Sequence, residues 1–339
     1  MKKIIIMILL GTVILTLSAC GEKNMVERIS DILTTDDNTY LESSSSESGS
    51  ENSGAFTPAE KETQIEAEIF SFSEPIIKGA PGGNTKTGFA PLDLSTYAVS
   101  DPHNEKGLST KKICHSHGPA SGGKAHHTVV AFQDTFDKYS ALTLDRKSTD
   151  KSLYLTFDCG WEYNNLTSKV LDVLKEKGVS ATFFCTLDHI KKEPDLISRM
   201  ITEGHIVGNH STNHPSFAEI DRTTMALEIE ETENYLRENY GYCAKYFRFP
   251  AGEYNESALD LVASLGYKSI FWSVAYNDWN VEKIQGKDYA VKTVCDRLHD
   301  GAVILLHSVS QDNAEALGEI IDKARQQGYV FNSLTDYPG

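Results

Sequence analysis

The chain has 339 residues, of which 40% are hydrophobic and 24% are charged, and its formal net charge at pH 7 is −16. This length can hold one domain of α/β-barrel size together with appended segments, and the composition is ordinary for a soluble globular protein. Because the net charge is acidic and the sequence contains no basic patch or basic helix, we expect no nucleic-acid partner.

The first twenty residues are typical of an export signal. Lys2-Lys3 provides a positive start, and Ile4 to Leu17 is an apolar run that is short for a membrane span. The next residues, Leu17-Ser18-Ala19-Cys20-Gly21, resemble the lipobox of bacterial lipoproteins, in which the cysteine is lipidated. We therefore predict a lipoprotein signal over residues 1–20, an extracytoplasmic location and membrane attachment through Cys20. The alternative is an ordinary cleaved signal with a chance cysteine.

Residues 21–74 are polar and acidic, with thirteen acids against three bases and a run of four serines. Such a composition cannot bury enough apolar surface to offset the entropy lost on ordering, so we predict a disordered linker. Residues 75–147 begin rich in Gly and Pro, and we predict an irregular N-terminal extension that packs on the main domain. Within it, 139–144 could form a strand laid against that domain.

Five cysteines remain beyond the signal, and none of them lies in a CxxC pair. An odd number leaves at least one thiol unpaired in a monomer, so we predict no disulfide framework.

From residue 148 to the C-terminus, strand-like apolar runs alternate with amphipathic helical stretches. The predicted strands lie at 152–157, 181–185, 205–208, 246–249, 267–272, 302–306 and 329–331. The predicted helices lie at about 167–177, 194–204, 256–266, 289–298 and 313–326. One more is predicted after the possible cap Asp221, with Met225, Ile229 and Leu236 on its apolar face, and Asn255 is the possible cap of the helix at 256–266. This alternation predicts an α/β fold with a parallel sheet, closed as an irregular (β/α)7 barrel over residues 148–339.

Chemically reactive side chains recur where the predicted strands end. Asp158, His210, Arg248 and His307 each lie at or just past the C-terminal end of a strand, and Asp278 lies in the loop after another. In a parallel barrel those ends gather on one face, so these groups are expected to converge. His210 and His214 are four residues apart, and Pro215 favours a turn there, so both imidazoles could reach one divalent ion.

Five motifs, TFDCG, HSTNH, RFPAG, NDW and LLH, resemble in order and spacing those of the NodB-type polysaccharide deacetylases, carbohydrate esterase family 4. The resemblance covers about residues 150–337. Within the family the chain is most similar to the delta-lactam-biosynthetic de-N-acetylases, which remove acetyl from N-acetylmuramic acid in peptidoglycan. The segments 271–279 and 307–317 are close to their pattern.

The resemblance implies a role for each motif residue. Asp158 corresponds to the general base, and His307 to the general acid. Arg248 corresponds to the residue that orients the base, and Asp278 to the partner of the acid. His210 and His214 correspond to ligands of a divalent ion, often zinc, while the Ala251 N–H corresponds to the oxyanion donor and Trp279 to the groove wall.

One residue departs from the family pattern. The family usually carries a second Asp directly after the base, and that Asp ligates the metal, whereas this chain has Cys159. Close relatives of the delta-lactam type carry Asn there. Cys159 could supply a thiolate to a Cys-His-His shell with one open position, or the ion could rest on two histidines and water. We favour ligation by Cys159.

Four histidines of the extension, His115, His117, His126 and His127, permit a metal-site interpretation. No carboxylate or CxxC is spaced to complete a shell, so we favour a loop that lines one edge of the substrate groove.

The resulting hypothesis is a metal-dependent N-deacetylase of cell-wall glycan, with peptidoglycan N-acetylmuramic acid as substrate and muramic δ-lactam formation as outcome. We expect Zn²⁺ as cofactor, a monomer as oligomeric state and a location facing the cell wall. The alternatives are a lipid-anchored glycan-binding pseudo-deacetylase and an O-deacetylase of xylan or another exopolysaccharide.

Overall fold

The computed structural model describes residues 99–148 and 150–337. The predicted signal over 1–20, the predicted linker over 21–74 and residues 75–98 of the predicted extension lie outside the described residues. Among the residues that are described, no helix combines the length and the apolar character needed to cross a bilayer.

The described residues form ten strands, and eight of them overlap predicted strand segments, one of these within the strand expected over 139–144. They are β1 (Ile113–Cys114), β2 (Ala141–Leu142), β3 (Ser152–Cys159), β4 (Thr182–Cys185), β5 (Ile206–Asn209), β6 (Tyr246–Phe247), β7 (Glu253–Tyr254), β8 (Lys268–Ile270), β9 (Ala302–His307) and β10 (Val330–Asn332). β1 and β7 form a small antiparallel pair, and the other eight strands form one parallel sheet.

The parallel sheet is curled, and its strand β3 pairs with three others, β10, β4 and β9. Its order is β10-β3-β4-β5-β6-β8-β2, and β9 pairs with β3 as well. A bridge between Val274, just after β8, and Ile304 of β9 brings the two sides of the sheet together. The predicted parallel α/β barrel is therefore confirmed. The strand expected over 139–144 is also formed, as β2, which belongs to the same sheet and pairs with β8.

Eight α-helices accompany the strands in the described part of the chain. They are α1 (His127–Phe136), α2 (Leu166–Lys177), α3 (Leu187–Lys192), α4 (Pro194–Thr202), α5 (Arg222–Tyr240), α6 (Glu256–Ser264), α7 (Lys287–Cys295) and α8 (Gln311–Gln326). Asp221 and Asn255 cap α5 and α6, as expected, by accepting backbone N–H groups of the first turn. Gly178 ends α2 with a φ of 59°, a left-handed conformation that glycine adopts without strain.

Helices α1 and α3 were not predicted. The first turns of α1 contain Thr128, Val129 and Val130, whose β-branched side chains favour strands when only the local sequence is considered. Helix α3 has only six residues and directly follows β4, so its apolar periodicity is too short to read. Both helices are held by burial in the assembled fold.

Side-chain alternation along β3 divides the core into two layers. Tyr154 contributes to a small cluster inside the barrel, whereas Leu155, Phe157 and Cys159 belong to a larger cluster between the sheet and the helices. Asp158, between two residues of the outer layer, points toward the barrel interior. Strand β3 therefore delivers a carboxylate to the inner rim.

Candidate functional site

The two predicted proton-transfer groups lie on neighbouring strands. Asp158 of β3 and His307 of β9 are register partners in a parallel pair, so their Cα atoms are adjacent at the C-terminal rim. Parallel strands present their carboxyl ends on the same side, which brings together residues 149 positions apart. The expected convergence at one rim is what the fold produces.

Arg248 is fully buried directly beneath this rim. Its Nη1 donates to Asp158 Oδ1 at 2.7 Å, and its other N–H groups donate to Thr156 Oγ1 at 2.9 Å and the Ile270 carbonyl at 2.9 Å. Burial raises the pKa of Asp158, but Arg248, His210 and His307 together outweigh burial, so the pKa is lowered from its usual value. Asp158 is therefore a carboxylate at neutral pH, aimed by a fixed cation.

His210 and His214 lie side by side next to Asp158. Their ring centroids are 4.9 Å apart, and His210 Nε2 is 3.6 Å from Asp158 Oδ2. The Arg248 carbonyl, 2.8 Å from His210 Nδ1, can only accept a hydrogen bond, so Nδ1 carries the proton and Nε2 has a free lone pair. Burial lowers the pKa of His210, which keeps the ring neutral. The backbone of His214 is left-handed, with φ at 57°, in the turn expected before Pro215.

His307 is oriented by a second buried carboxylate. Asp278 Oδ1 accepts from His307 Nδ1 at 2.7 Å, and Oδ2 accepts from the His307 N–H at 2.8 Å. Burial lowers the pKa of His307, but the Asp278 carboxylate outweighs it, so the pKa lies above its usual value. With Nδ1 occupied by Asp278, Nε2 is the nitrogen left to exchange a proton.

The loop after β6 holds its backbone in a strained conformation. Ala251 has φ at 53°, a left-handed value that costs free energy for a residue with a Cβ. Gly252 follows with φ at 66°, and a Cβ there would lie 2.7 Å from the Trp272 ring and 3.2 Å from His115. Trp272 thus packs directly on the loop that contains Ala251, whose backbone N–H is the predicted oxyanion donor.

Comparison with known proteins identifies the family. Residues 145–270 match the polysaccharide deacetylase family. The peptidoglycan-N-acetylmuramic acid deacetylase PdaA of Bacillus subtilis is 42% identical over 65% of this chain and 81% of its own length. An uncharacterised 30.6 kDa protein of Geobacillus stearothermophilus is 44% identical over the same shares. The solved structure of Bacillus subtilis PdaA, a family 4 carbohydrate esterase, superposes with a TM-score of 0.64 at 37% identity, covering 68% of this chain and 98% of that one.

The chain belongs to the polysaccharide deacetylases. Membership of NodB-type carbohydrate esterase family 4, predicted from the five motifs, is confirmed, and the protein is a hydrolase acting on amide bonds.

In this polysaccharide deacetylase, the remaining predicted site residues lie in two different environments. Trp279 follows Asp278 in the loop after β8 and is 39% exposed, as a wall of an open groove requires. Cys159 is fully buried in the outer layer of β3, and its Sγ lies 3.2 Å from Ser308 Oγ. Ligation of the His210/His214 ion by Cys159 stays a prediction.

The histidines of the extension support the site loops of this deacetylase. His115 Nε2 contacts the Trp272 carbonyl at 2.8 Å, and His117 Nδ1 accepts from Trp272 Nε1 at 3.2 Å. His126 caps α1 by accepting the Thr128 N–H. Across residues 99–148 and 150–337, none of the four histidines joins a group of three potential ligands whose atoms lie within 4.8 Å of one another.

Three polar residues that support the site were not predicted. Asn313 donates to Asp278 Oδ2 at 2.5 Å, and Tyr276 donates to Asn313 Oδ1 at 2.6 Å. Thr156 accepts from Arg248 and donates to the Ile304 carbonyl at 2.6 Å. Thr156 stands two residues before Asp158, and the alternation of a strand could have placed both on one face. The contacts of Tyr276 and Asn313 depend on how two distant segments meet, which no local pattern records.

Proposed function

We propose that this polysaccharide deacetylase is a metal-dependent N-deacetylase of peptidoglycan whose substrate is N-acetylmuramic acid. Two observations carry the proposal: the 42% identity to PdaA, and the convergence of Asp158, Arg248, His210, Asp278 and His307 at one rim. The released muramic amine is positioned to close on the lactyl carboxyl of the same sugar, giving the δ-lactam. Since the proposed substrate is the cell wall, the enzyme is also proposed to lie outside the cytoplasm.

The metal proposed here is a divalent ion, Zn²⁺, held by His210 and His214. Two observations support the fit: the imidazoles are adjacent, and the hydrogen bond from His210 Nδ1 leaves its Nε2 lone pair free. When bound, such an ion polarises a carbonyl and lowers the pKa of water. The third position of this shell is taken by Cys159, as predicted from the sequence, or by water, which leaves Cys159 outside the shell. Equal affinity of the His210/His214 site for zinc in wild type and Cys159→Ser would favour water.

The chain's own residues account for the proton transfers. Asp158 accepts a proton from the water that adds to the acetamide carbonyl, while Arg248 holds the carboxylate ionised and in place. The Ala251 N–H donates to the oxygen on which negative charge develops. His307, protonated because Asp278 stabilises its charge, gives a proton to the nitrogen as the C–N bond breaks. The products are acetate and a free amine.

The proposal includes the predictions made for the N-terminal region. Lipidation at Cys20 after removal of residues 1–20 would tether the enzyme to the membrane, and residues 21–74 would serve as the spacer that lets the catalytic domain reach the wall. Residues 75–147 form the proposed extension, residues 148–339 the proposed catalytic domain, and the protein is proposed to act as a monomer.

The test is acetate release by the purified protein from peptidoglycan whose stem peptides have been removed by an amidase. We expect acetate and muramic δ-lactam, and a loss of about 10²–10⁴-fold in rate for Asp158→Asn. The exposed Asp288, at the start of α7, provides the matched control, and Asp288→Asn should retain the wild-type rate. Release only from peptide-bearing wall, chitin oligomers or acetylated xylan would reject muramic acid as substrate, the last outcome favouring the O-deacetylase.

A further inference from the structure

A second group of metal-ligand side chains lies in the outer layer of the core, on the opposite face of β3 from Asp158. Cys159, Cys185 and His189 are each fully buried, and the two sulfurs and one ring nitrogen all lie within 4.8 Å of one another. Among the described residues this is the only group of three or more His, Cys, Asp or Glu side chains that meets that distance.

The fold itself brings these three residues together. Cys159 of β3 and Cys185 of β4 are register partners, so their side chains project from adjacent strands on the same face. His189 lies in the first turn of α3, which begins directly after β4, and its N–H is capped by Thr186 Oγ1. Thr186 also donates to the Gly160 carbonyl at 3.2 Å, which fixes α3 against the end of β3. The cluster is thus held by backbone geometry.

The second observation that supports a metal site is the hydrogen bonding of His189. Both of its ring nitrogens are buried and have no hydrogen-bond partner. Buried polar atoms are nearly always hydrogen-bonded, so an imidazole with two unpaired nitrogens beside two thiols indicates a missing ligand. Burial lowers the pKa of His189 to about 4, so the ring is neutral at physiological pH and offers a lone pair.

We propose that Cys159, Cys185 and His189 bind a thiophilic divalent cation of the zinc type, as a structural centre separate from the ion of His210 and His214. Two thiolates and one imidazole are the donors that zinc prefers, and tetrahedral bonds of about 2.3 Å to sulfur and 2.0–2.1 Å to nitrogen place donor atoms about 3.5–3.8 Å apart. Binding releases two thiol protons to solvent. The two thiolates then cancel the charge of the ion, as burial requires.

The centre would brace the rim that carries the reaction. The Cys185 carbonyl accepts the His210 N–H at 3.1 Å, and the Cys159 carbonyl accepts the Thr186 N–H at 3.2 Å. The Ser308 hydroxyl, 3.2 Å from Cys159 Sγ, can donate to the thiolate and belongs to the residue that follows His307. An ion joining β3, β4 and α3 would therefore fix the backbone that positions Asp158 and His210.

The experiment is substitution of Co²⁺ into the full chain, followed by absorption spectroscopy and metal analysis. Thiolate ligation gives a sulfur-to-Co²⁺ charge-transfer band, whereas histidine and water ligands give none. We expect the band in wild type, its intensity about halved or lost in Cys159→Ser and in Cys185→Ser, and Co²⁺ affinity at least about tenfold lower in His189→Gln. His210→Gln should leave the band unchanged.

Cys243→Ser is the matched control, since Cys243 is also buried but lies outside the cluster, and it should keep the full band. Circular dichroism checks that each variant folds. If Cys185→Ser fails to fold, His189→Gln still tests the assignment because it retains both sulfurs.

Three results would overturn the proposal. A band lost in Cys159→Ser and His210→Gln but intact in Cys185→Ser and His189→Gln would assign Cys159 to the His210/His214 ion. Absence of any band with all thiols titratable would mean that no ion binds at this cluster. A disulfide between Cys159 and Cys185, found by peptide mapping without reduction, would replace the metal centre.

Discussion

The two carboxylates at the rim have opposite roles in the same reaction, since Asp158 is the proposed base and Asp278 supports the proposed acid, His307. Asp158 has a lowered pKa because Arg248 stabilises its charge, and it thereby remains a proton acceptor. Asp278 acts through His307, whose pKa it raises, so that a proton donor persists at neutral pH. An acid and a base that coexist at one pH are what amide hydrolysis requires.

Asp278→Asn should reduce activity most strongly on the alkaline side. The raised pKa of His307 keeps the imidazolium until the pH rises through that pKa, so removing the carboxylate should shift the alkaline limb of the kcat profile to lower pH. The stability that the pair contributes is present at acidic pH and lost as pH rises through the folded pKa, so the deficit of the variant in urea unfolding should shrink at alkaline pH.

An unchanged alkaline limb in Asp278→Asn would remove His307 from the role of general acid. Asp288→Asn, which removes an exposed carboxylate, should leave the profile where it is in wild type.

The loop that follows β6 shows how an element can hold one backbone N–H in place. Ala251 is left-handed, Gly252 continues the turn, and Trp272 closes over it while contacting His115 and His117 of the extension. β1 pairs with β7 immediately after this loop, which ties the extension to the same place. The oxyanion donor is therefore proposed to be positioned by packing from two segments.

Gly252→Ala should destabilise the protein and slow turnover. The destabilisation should exceed the cost of placing alanine in a left-handed conformation, because the added Cβ also meets Trp272. The left-handed φ of 66° costs about 1–2 kcal/mol for alanine, and overpacking against Trp272 adds about 1–3 kcal/mol. Gly107 has nearly the same φ, 68°, with no atom within 4 Å of the added Cβ, so Gly107→Ala measures the backbone cost alone. Equal unfolding free energies and equal kcat for the two variants would contradict the close packing of Trp272.

At the scale of the molecule, residues 99–147 are integral to the barrel. The Gln133 side chain bonds the backbone of Ala141, Thr143 and Leu144, which aligns β2 along β8. Phe136 stacks on Phe271 with ring centroids 4.4 Å apart. The extension, expected to be irregular apart from a strand over 139–144, therefore supplies both that strand and the unpredicted helix α1 to the core.

A protein that begins at residue 148 should not show a cooperative thermal transition, whereas one that begins at residue 99 should. The truncation removes the buried Phe136, Leu142 and Leu144, each of which contributes about 1.5–3 kcal/mol on burial. Their sum is comparable with the whole net stability of a typical domain, about 5–15 kcal/mol. Calorimetry of the two proteins checks this expectation, and similar melting temperatures would show the extension to be dispensable.

Local patterns are enough to predict the parallel barrel and its helices. The alternation of apolar runs and amphipathic stretches depends only on residues close together in the chain, so it can be recognised from the sequence alone. The five motifs contain Asp158, Arg248, Asp278 and His307. These residues could be assigned to one site because each lies at or after the end of a recognisable strand. Helix α3 has only six residues, which is too short for an apolar period to be visible.

What the sequence by itself determined is the order of strands and helices, the family and the chemical types gathered at one rim. Only the tertiary structure decided that Asn313 and Tyr276 support Asp278, that the extension closes over the Ala251 loop, and that Cys159 lies beside Cys185 and His189. The physical reason is the range of the interactions. Periodicity and capping act within a few residues, whereas these contacts are fixed by the packing of segments far apart in the chain.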